Sequence, residues 1–214
     1  MNSLEFLKTD WELLKNNKEK VQKALGFIGT DGELKIDLVQ TKHKYYTQDE
    51  VGSLLSCMKV ITSSQSYGRQ IERYFIYRWG LIDNINKSKD EIGDFSNRSK
   101  TKNIEFKVSY LDKNDNYALI QIRPSQNVDY IALLIDASQY IAEYNLYYIE
   151  HEDMREIVDR YCSIAHGANK DKKDINHEFR GTIYNDPQIN HLDKAKMEKF
   201  KISETELKEK ILWK

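Results

Sequence analysis

The chain has 214 residues, of which 40% are hydrophobic and 31% charged, and its net charge is −1 at pH 7. This composition is typical of a globular protein and excludes both wholesale disorder and a strongly basic, histone-like binder of nucleic acid. No apolar run reaches the roughly 20 residues of a membrane span, and the first residues lack the apolar core of a signal peptide. Two cysteines 105 positions apart, without metal-binding spacing, predict buried thiols. We therefore expect a cytoplasmic protein that does not enter a membrane.

The first part of the chain is predicted to be mainly helical. Apolar residues from Leu4 to Leu25 recur at three- and four-residue steps, which is the period of an amphipathic helix. Thr47 with Glu50 forms the capping-box pattern that begins another helix. The predicted elements are a helix over residues 4–25, a strand over 33–39, a helix over 47–60, a helix over 63–81 and a polar loop over 83–91.

The second part of the chain is predicted to form a mixed sheet. Two β-type runs are joined by Asp-Lys-Asn-Asp-Asn, which is turn chemistry, and a later apolar run is typical of a strand covered on both faces. The predicted elements are strands over residues 103–111, 117–123, 128–135 and 145–149, a helix over 153–164, a loop over 167–176 and a helix over 203–212. Ser203 and Glu206 give the last helix a second capping-box pattern. We expect one α/β (α+β) domain over 1–214, in which a central mixed sheet is flanked by helices.

The strand that follows residue 103 carries a pattern with chemical consequences. Successive side chains of a strand face opposite ways, so Ile104 and Phe106 share one face while Glu105 and Lys107 share the other. A carboxylate and an ammonium inside a sheet are costly unless a ligand or partner satisfies them. A divalent cation and a phosphate would satisfy both groups, whereas a solvated edge strand is the alternative explanation.

The tripeptide Glu-x-Lys by itself carries no information, because it occurs three times, beginning at Glu33, Glu105 and Glu206. The copy at Glu206 falls on a predicted exposed helix, and the copy at Glu33 follows Asp31 too closely to share a cation with it. Only Glu105 has an apolar strand context and an upstream acid after a glycine, Asp94, 11 positions earlier. That spacing allows a strand to end, turn and return, so Asp94 and Glu105 can meet at one Mg²⁺ ion.

A further acid, Glu72, lies on the predicted helix over residues 63–81, in or beside its apolar stripe. It is either another metal or water ligand, or a partner of the neighbouring Arg69 or Arg73.

The order Glu72, Gly93-Asp94, then Ile104-Glu105-Phe106-Lys107, with Gln121 one strand later, resembles the PD-(D/E)xK nuclease superfamily and, within it, type II restriction endonucleases. The motif's proline is replaced here by Gly93. The resemblance covers residues 63–136 and implies a restriction-endonuclease-like core. It also implies catalytic roles for Asp94, Glu105, Lys107, Glu72 and Gln121, and a Mg²⁺ ion held by Asp94 and Glu105. Residues 1–62 would then be an N-terminal helical part, residues 63–164 the catalytic core, and residues 165–214 a recognition segment with a final helix.

The resemblance implies double-stranded DNA as the partner and a homodimer as the assembly, since a twofold protein matches a palindromic site. The segment over residues 166–180 has the composition of a base-reading loop, although an ordinary solvated loop explains it equally well. A repair, recombination or mobile-element nuclease, and a non-catalytic DNA-binding protein, are the alternatives to a restriction enzyme. The residues expected to contact DNA are Arg69, Arg73, Arg123, Asn169, Lys170, Lys172, Lys173, His177 and Arg180.

Overall fold

The computed structural model describes residues 8, 11–25, 46–63, 67–81, 93–165 and 178–214. The chain divides into two compact units, residues 1–80 with 135–144 and residues 81–134 with 145–214. That the chain forms a single domain over residues 1–214 remains a prediction. Within the described ranges no helix is both long enough and apolar enough to span a membrane.

The first unit is mainly helical in its described ranges, but its N-terminal helix is not continuous as predicted. A break at residues 15–17 arises because the Asn17 side chain caps the following helix, accepting a hydrogen bond from the Lys20 backbone N–H at 3.1 Å. The helices of this unit are α1 (Trp11–Leu14), α2 (Lys18–Leu25), α3 (Gln48–Ile61) and α4 (Tyr67–Trp79).

The predicted start of α3 is confirmed. Thr47 and Glu50 form both hydrogen bonds of a capping box, each side chain accepting from the other residue's backbone N–H. Helix α3 is buried along most of its length, and both cysteines of the chain, Cys57 in α3 and Cys162, are buried free thiols. Burial raises the pKa of Cys57 to about 12.

The second unit contains most of the β structure. A five-stranded mixed sheet has the order β1-β2-β4-β5-β8, and a separate three-stranded sheet has the order β3-β7-β6. The strands are β1 (Phe95–Ser96), β2 (Asn103–Tyr110), β3 (Asn116–Ile122), β4 (Asp129–Asp136), β5 (Glu143–Ile149), β6 (Ser163–Ile164), β7 (Phe179–Tyr184) and β8 (Lys201–Ile202). The helices are α5 (His151–Tyr161), α6 (Lys194–Met197) and α7 (Glu204–Leu207).

The core of the second unit forms around β4. Its alternate residues Tyr130, Ala132 and Leu134 pack in one cluster with residues of α5, including Met154 and Ile157. The intervening residues of β4 are buried as well, so the prediction of a strand covered on both faces is confirmed. The prediction of a central mixed sheet in an α/β protein is likewise confirmed.

Several features of the second unit depart from the sequence predictions. Strand β3 belongs to the smaller sheet, where it pairs antiparallel with β7, a strand that was not predicted. The final helix begins with the predicted Ser203–Glu206 capping box but continues after α7 as a π-helical turn, Lys208–Leu212. The strand predicted over residues 33–39 and the loops predicted over 83–91 and 167–176 lie outside the described residues.

Candidate active site

Strand β2 presents two different faces, as its alternating sequence predicts. Ile104 and Phe106 are buried in the sheet, and Glu105 and Lys107 lie together on the opposite face. The Lys107 Nζ donates to the Glu105 Oε1 at 2.6 Å, and the two side chains are only 11% and 12% exposed. The chain therefore holds a largely buried ion pair between residues two positions apart on one strand.

This ion pair is incompletely satisfied within the described part of the chain. Neither Glu105 nor Lys107 has a second hydrogen-bond or ion-pair partner there. A carboxylate offers about four acceptor positions and an ammonium three donors, so most of this capacity is open to a ligand or to water. Burying charges with so few partners is unfavourable, which makes a role in binding the simplest reason to keep them.

Asp94 is brought to the same place by the β1–β2 hairpin. The antiparallel register pairs Phe95 with Ile104, so Asp94 stands one residue beyond the paired segment, level with Glu105. Its backbone N–H donates to the Ile104 carbonyl oxygen at 2.8 Å. Its Oδ2 accepts from the Phe106 backbone N–H at 2.7 Å. Asp94 is thus bonded to both chain neighbours of Glu105, and the register sets the two acids side by side on one hairpin.

Gly93 makes this approach possible. Its φ of +67° lies in the left-handed region that side chains disfavour. A Cβ there would stand 2.7 Å from the Ile104 carbonyl oxygen, which is too close for any residue with a side chain. A proline, whose φ is fixed near −65°, cannot take this conformation either. The backbone therefore requires glycine at the position before Asp94.

Tyr130 is a neighbour of the ion pair that the sequence did not indicate. It lies fully buried on β4, the strand next to β2, and its hydroxyl donates to the Arg123 carbonyl oxygen at 3.2 Å. Burial and, secondarily, the negative charge of Glu105 raise the pKa of Tyr130, so its hydroxyl stays protonated at neutral pH. Its only sequence signal is a tyrosine in an otherwise aliphatic strand.

Arg123 and Arg180, two of the predicted DNA contacts, have different surroundings. Arg123 Nε and Nη2 both donate to the Glu178 Oε1, at 3.0 and 2.6 Å, so its charge is already paired. Arg180 is exposed on β7, where its backbone pairs with Ser163. Of these two guanidinium groups, the one of Arg180 is the more accessible to a phosphate.

Gln121 lies away from the central sheet. It is exposed on β3, in the smaller sheet, at a bulge where the pairing with β7 shifts register. Its φ of +55° is unusual for a residue with a side chain and turns it out of the regular strand. Nothing in this placement indicates how Gln121 would reach the ion pair, and its catalytic role stays a prediction.

The remaining predicted residues fall in other parts of the chain. Glu72, Arg69 and Arg73 lie on α4, in the first unit, where Arg69 is exposed and the other two are half-buried. Their predicted roles stay predictions. The predicted contacts outside the described residues are Asn169, Lys170, Lys172, Lys173 and His177.

The Glu-x-Lys copy at Glu206 behaves differently from the copy at Glu105. Glu206 pairs with Lys210 at 2.8 Å and Lys208 pairs with Glu204 at 2.6 Å, each across one helical turn. The reason is periodicity: residues two apart point to different sides of a helix but to the same side of a strand. Of the two copies that the structure describes, only the one on β2 forms an internal ion pair.

The chain matches no family model, no curated protein and no solved structure. Among the described residues, no three His, Cys, Asp or Glu side chains lie close enough together to hold a metal ion by themselves. The site is accordingly defined by its own geometry, which is two carboxylates and one ammonium on the β1–β2 hairpin.

Proposed function

We propose that this protein is a Mg²⁺-dependent endonuclease that hydrolyses phosphodiester bonds in double-stranded DNA, of the restriction type. The observation that carries the proposal is the buried Glu105–Lys107 ion pair with open bonding capacity, directly beside Asp94. Few ligands suit a carboxylate and an ammonium at once, and a cation together with a phosphate is one that does.

The donor set fits Mg²⁺. This ion prefers oxygen ligands and usually takes one or two carboxylates, with waters and a substrate phosphate completing its shell. Asp94 and Glu105 supply two carboxylates, so a third acidic residue is not required. When bound, the ion polarises the phosphoryl group and lowers the pKa of a water molecule.

The residues of the chain have separate tasks in this proposal. Asp94 and Glu105 hold the cation, and the bond from the Phe106 N–H fixes the Asp94 carboxylate before anything binds. Lys107, whose ammonium has free donors beyond its bond to Glu105, orients the attacking water and offsets the charge that develops on the phosphate. Arg180 is available for phosphate contacts, which set affinity and register rather than sequence preference.

The substrate follows from the same reasoning at a coarser level. A near-neutral chain with a local cation-and-phosphate site acts on nucleic acid through that site rather than through overall charge. We place the protein in the cytoplasm and expect two copies to act on a twofold-symmetric duplex site.

The test is cleavage of plasmid DNA by purified protein with Mg²⁺, with Mg²⁺ and excess EDTA, and by the Glu105→Gln and Lys107→Ala variants. We expect discrete fragments only for the wild-type protein with Mg²⁺, while duplex binding persists in both variants. The matched control is Lys208→Ala, which removes the lysine of another Glu-x-Lys tripeptide.

Other results would favour a different nuclease role or overturn the proposed activity. A smear in place of discrete fragments would favour a repair nuclease over a restriction enzyme. Normal cutting by Glu105→Gln, or duplex binding without cutting by the wild-type protein, would overturn the proposed activity.

A further inference from the structure

Two turns at one end of the smaller sheet form a polar cleft of about 250 Å³. It is lined by residues 114–116, in the turn between β2 and β3, and by residues 184–186 and Gln188, after β7. The antiparallel register sets Asn116 opposite Tyr184, and this pairing brings the two turns to the same end of the ladder. We call this set of residues the amide cleft.

Both turns have backbones that are fixed by carboxylates behind them. Asp112 Oδ1 accepts from the N–H groups of Asn114 and Asn116, at 2.8 and 3.0 Å. Asp193, which is only 1% exposed, accepts from the Gln188 N–H at 2.8 Å. The backbone positions of the two turns are therefore set in advance, which lowers the entropy lost when a ligand binds.

The amide groups in the cleft are open for recognition. Within the described ranges, the side chains of Asn114, Asn116, Asn185 and Gln188 make no hydrogen bond to another residue. A side-chain amide carries a donor and an acceptor side by side, the pattern that pairs with the major-groove edge of adenine.

The negative charge of the cleft favours contact with the bases of a nucleic acid over contact with its phosphates. Asp115 and Asp186 line it, so a phosphate group would be repelled there. Base edges carry no charge, and the amino group of cytosine donates well to a carboxylate. The cleft suits base edges and not the backbone.

The cleft also lies just beyond the end of the strand that carries Glu105 and Lys107. Lys107 and Asp112 are five residues apart along β2 and its turn, which corresponds to about 17 Å of extended chain. A duplex advances about 3.4 Å per base pair, so the separation corresponds to roughly five base pairs. One strand and the turn that follows it can thus present a cutting group and a reading group to the same short site.

We propose that the amide cleft reads base edges of the DNA duplex, with Asn116 and Gln188 as direct contacts, and so selects the sequence that is cut. This inference rests on the proposed endonuclease function and adds a specificity site to it. It places base reading in residues 114–116 and 184–188, a region distinct from the segment over residues 166–180 that has the composition of a base-reading loop.

The test is selection of bound duplexes from a random library, without Mg²⁺ so that nothing is cut. The proteins compared are the wild type, the double variant Asn116→Ala/Gln188→Ala, and the control Asn190→Ala, which removes an exposed amide beside the cleft. We expect the wild type and the control to enrich one motif. The double variant should lose about ten- to hundred-fold discrimination at one or two positions, with unchanged affinity for random duplex.

A second variant tests the chemistry rather than the fold. Asn116→Asp keeps the size of the side chain but removes its donor, so the preferred base should change from adenine to cytosine. The inference is overturned if the wild type enriches no motif, or if the double variant selects the same motif with the same discrimination.

Cleavage by the wild-type protein separates the two proposals. If the wild-type protein cuts with Mg²⁺ but the cleft variants select the same motif, the base-reading proposal fails and the nuclease proposal stands. If the cleft variants lose selection but the wild-type protein never cuts, the nuclease proposal fails and base reading stands.

Discussion

Two buried carboxylates of the second unit, Asp193 and Glu105, each pair with a lysine, but they accept different numbers of hydrogen bonds. Asp193 accepts from the backbone N–H groups of Gln188 and Lys196, at 2.8 and 2.9 Å, and also from the Lys196 ammonium. Glu105 accepts, among the described residues, from the Lys107 ammonium alone. Both acids are largely removed from solvent, so burial does not distinguish them.

The number of partners gives the two acids different roles. The hydrogen bonds to Asp193 fix the loop that leads into α6, and they leave little capacity for a ligand. Glu105 fixes no backbone and keeps most of its capacity, as expected of a group that binds something else. Buried charge by itself indicates neither role; the count of donors around it does.

The largest effect is expected from removing both members of the open pair. The double variant Glu105→Leu/Lys107→Met should lose at least about 100-fold in cleavage rate, because it lacks a cation ligand and the charge that faces the phosphate. Its free energy of unfolding should stay near that of the wild type, since replacing both members of a buried ion pair is often neutral. Plasmid cleavage and urea unfolding measure the two quantities. A large loss of stability in this variant would mean that the pair is structural.

Removing one member should cost stability. Lys107→Met leaves the Glu105 carboxylate buried without its counter-ion, a change that typically costs about 3 kcal/mol or more. Urea unfolding of this variant and of the double variant gives the comparison. If the single variant is as stable as the double variant, water already satisfies Glu105 and the pair contributes nothing to folding.

The satisfied pair should show its effect in the pH dependence of stability. Burial would raise the pKa of Asp193, but hydrogen bonds from the N–H groups of Gln188 and Lys196 and from the Lys196 ammonium outweigh it, lowering the pKa to about 2. A carboxyl whose pKa is lowered on folding stabilises the protein above its unfolded-state pKa, near 3.8. That contribution is lost as the pH falls from about 4 to about 2.

Asp193→Asn isolates this contribution. We expect the variant to be less stable than the wild type by about 3 kcal/mol between pH 5 and pH 7, with a difference that shrinks below pH 4. Denaturant unfolding at a series of pH values measures it. A difference that does not change with pH would show that shape, not charge, makes Asp193 important.

The geometry that holds Asp94 against the open pair can be broken at one glycine. Gly93→Ala should lower the free energy of unfolding by about 2 kcal/mol, because alanine is strained at positive φ and its Cβ meets the Ile104 carbonyl. Gly68→Ala is the control: it has open space in α4, and it should raise stability by about 0.5–1 kcal/mol. Equal effects of the two substitutions would contradict the role given to Gly93.

The smallest effect is expected at the helical Glu-x-Lys copy. Lys208 pairs only across a helical turn, so Lys208→Ala should change the cleavage rate less than about twofold and stability by no more than about 0.5 kcal/mol. The cleavage assay used for Lys107 measures it directly. A loss comparable to that of Lys107→Ala would end the distinction between the strand and helix copies.

The sequence predicted the parts of the fold that depend on local rules. The capping boxes at Thr47 and Ser203, the turn between β2 and β3, and the covered strand β4 all follow from short patterns of side chains. The break at Asn17 was missed because apolar residues recur at helical spacing on both sides of it, and one capping residue does not interrupt that pattern. Strand β7 was missed because its pairing with β3 joins residues far apart in the chain.

The candidate site was predictable in its residue types and not in its partners. Alternation along β2 placed Glu105 and Lys107 on one face, and the glycine before Asp94 marked an unusual backbone. Sequence reasoning missed Tyr130, the pairing of Arg123 with Glu178, and the position of Gln121 in the smaller sheet. Each of these depends on which strands become neighbours, and the local sequence pattern does not determine the order of strands in a sheet.

The sequence alone thus determined that Glu105 and Lys107 share a face, because side-chain direction alternates with a fixed period in any strand. Only the tertiary structure decided that the pair is buried, that its bonding capacity within the described residues is open, and that Asp94 bonds to the backbone on either side of Glu105. Burial and partner number arise from packing between distant segments, and partner number distinguishes this pair from the Asp193–Lys196 pair.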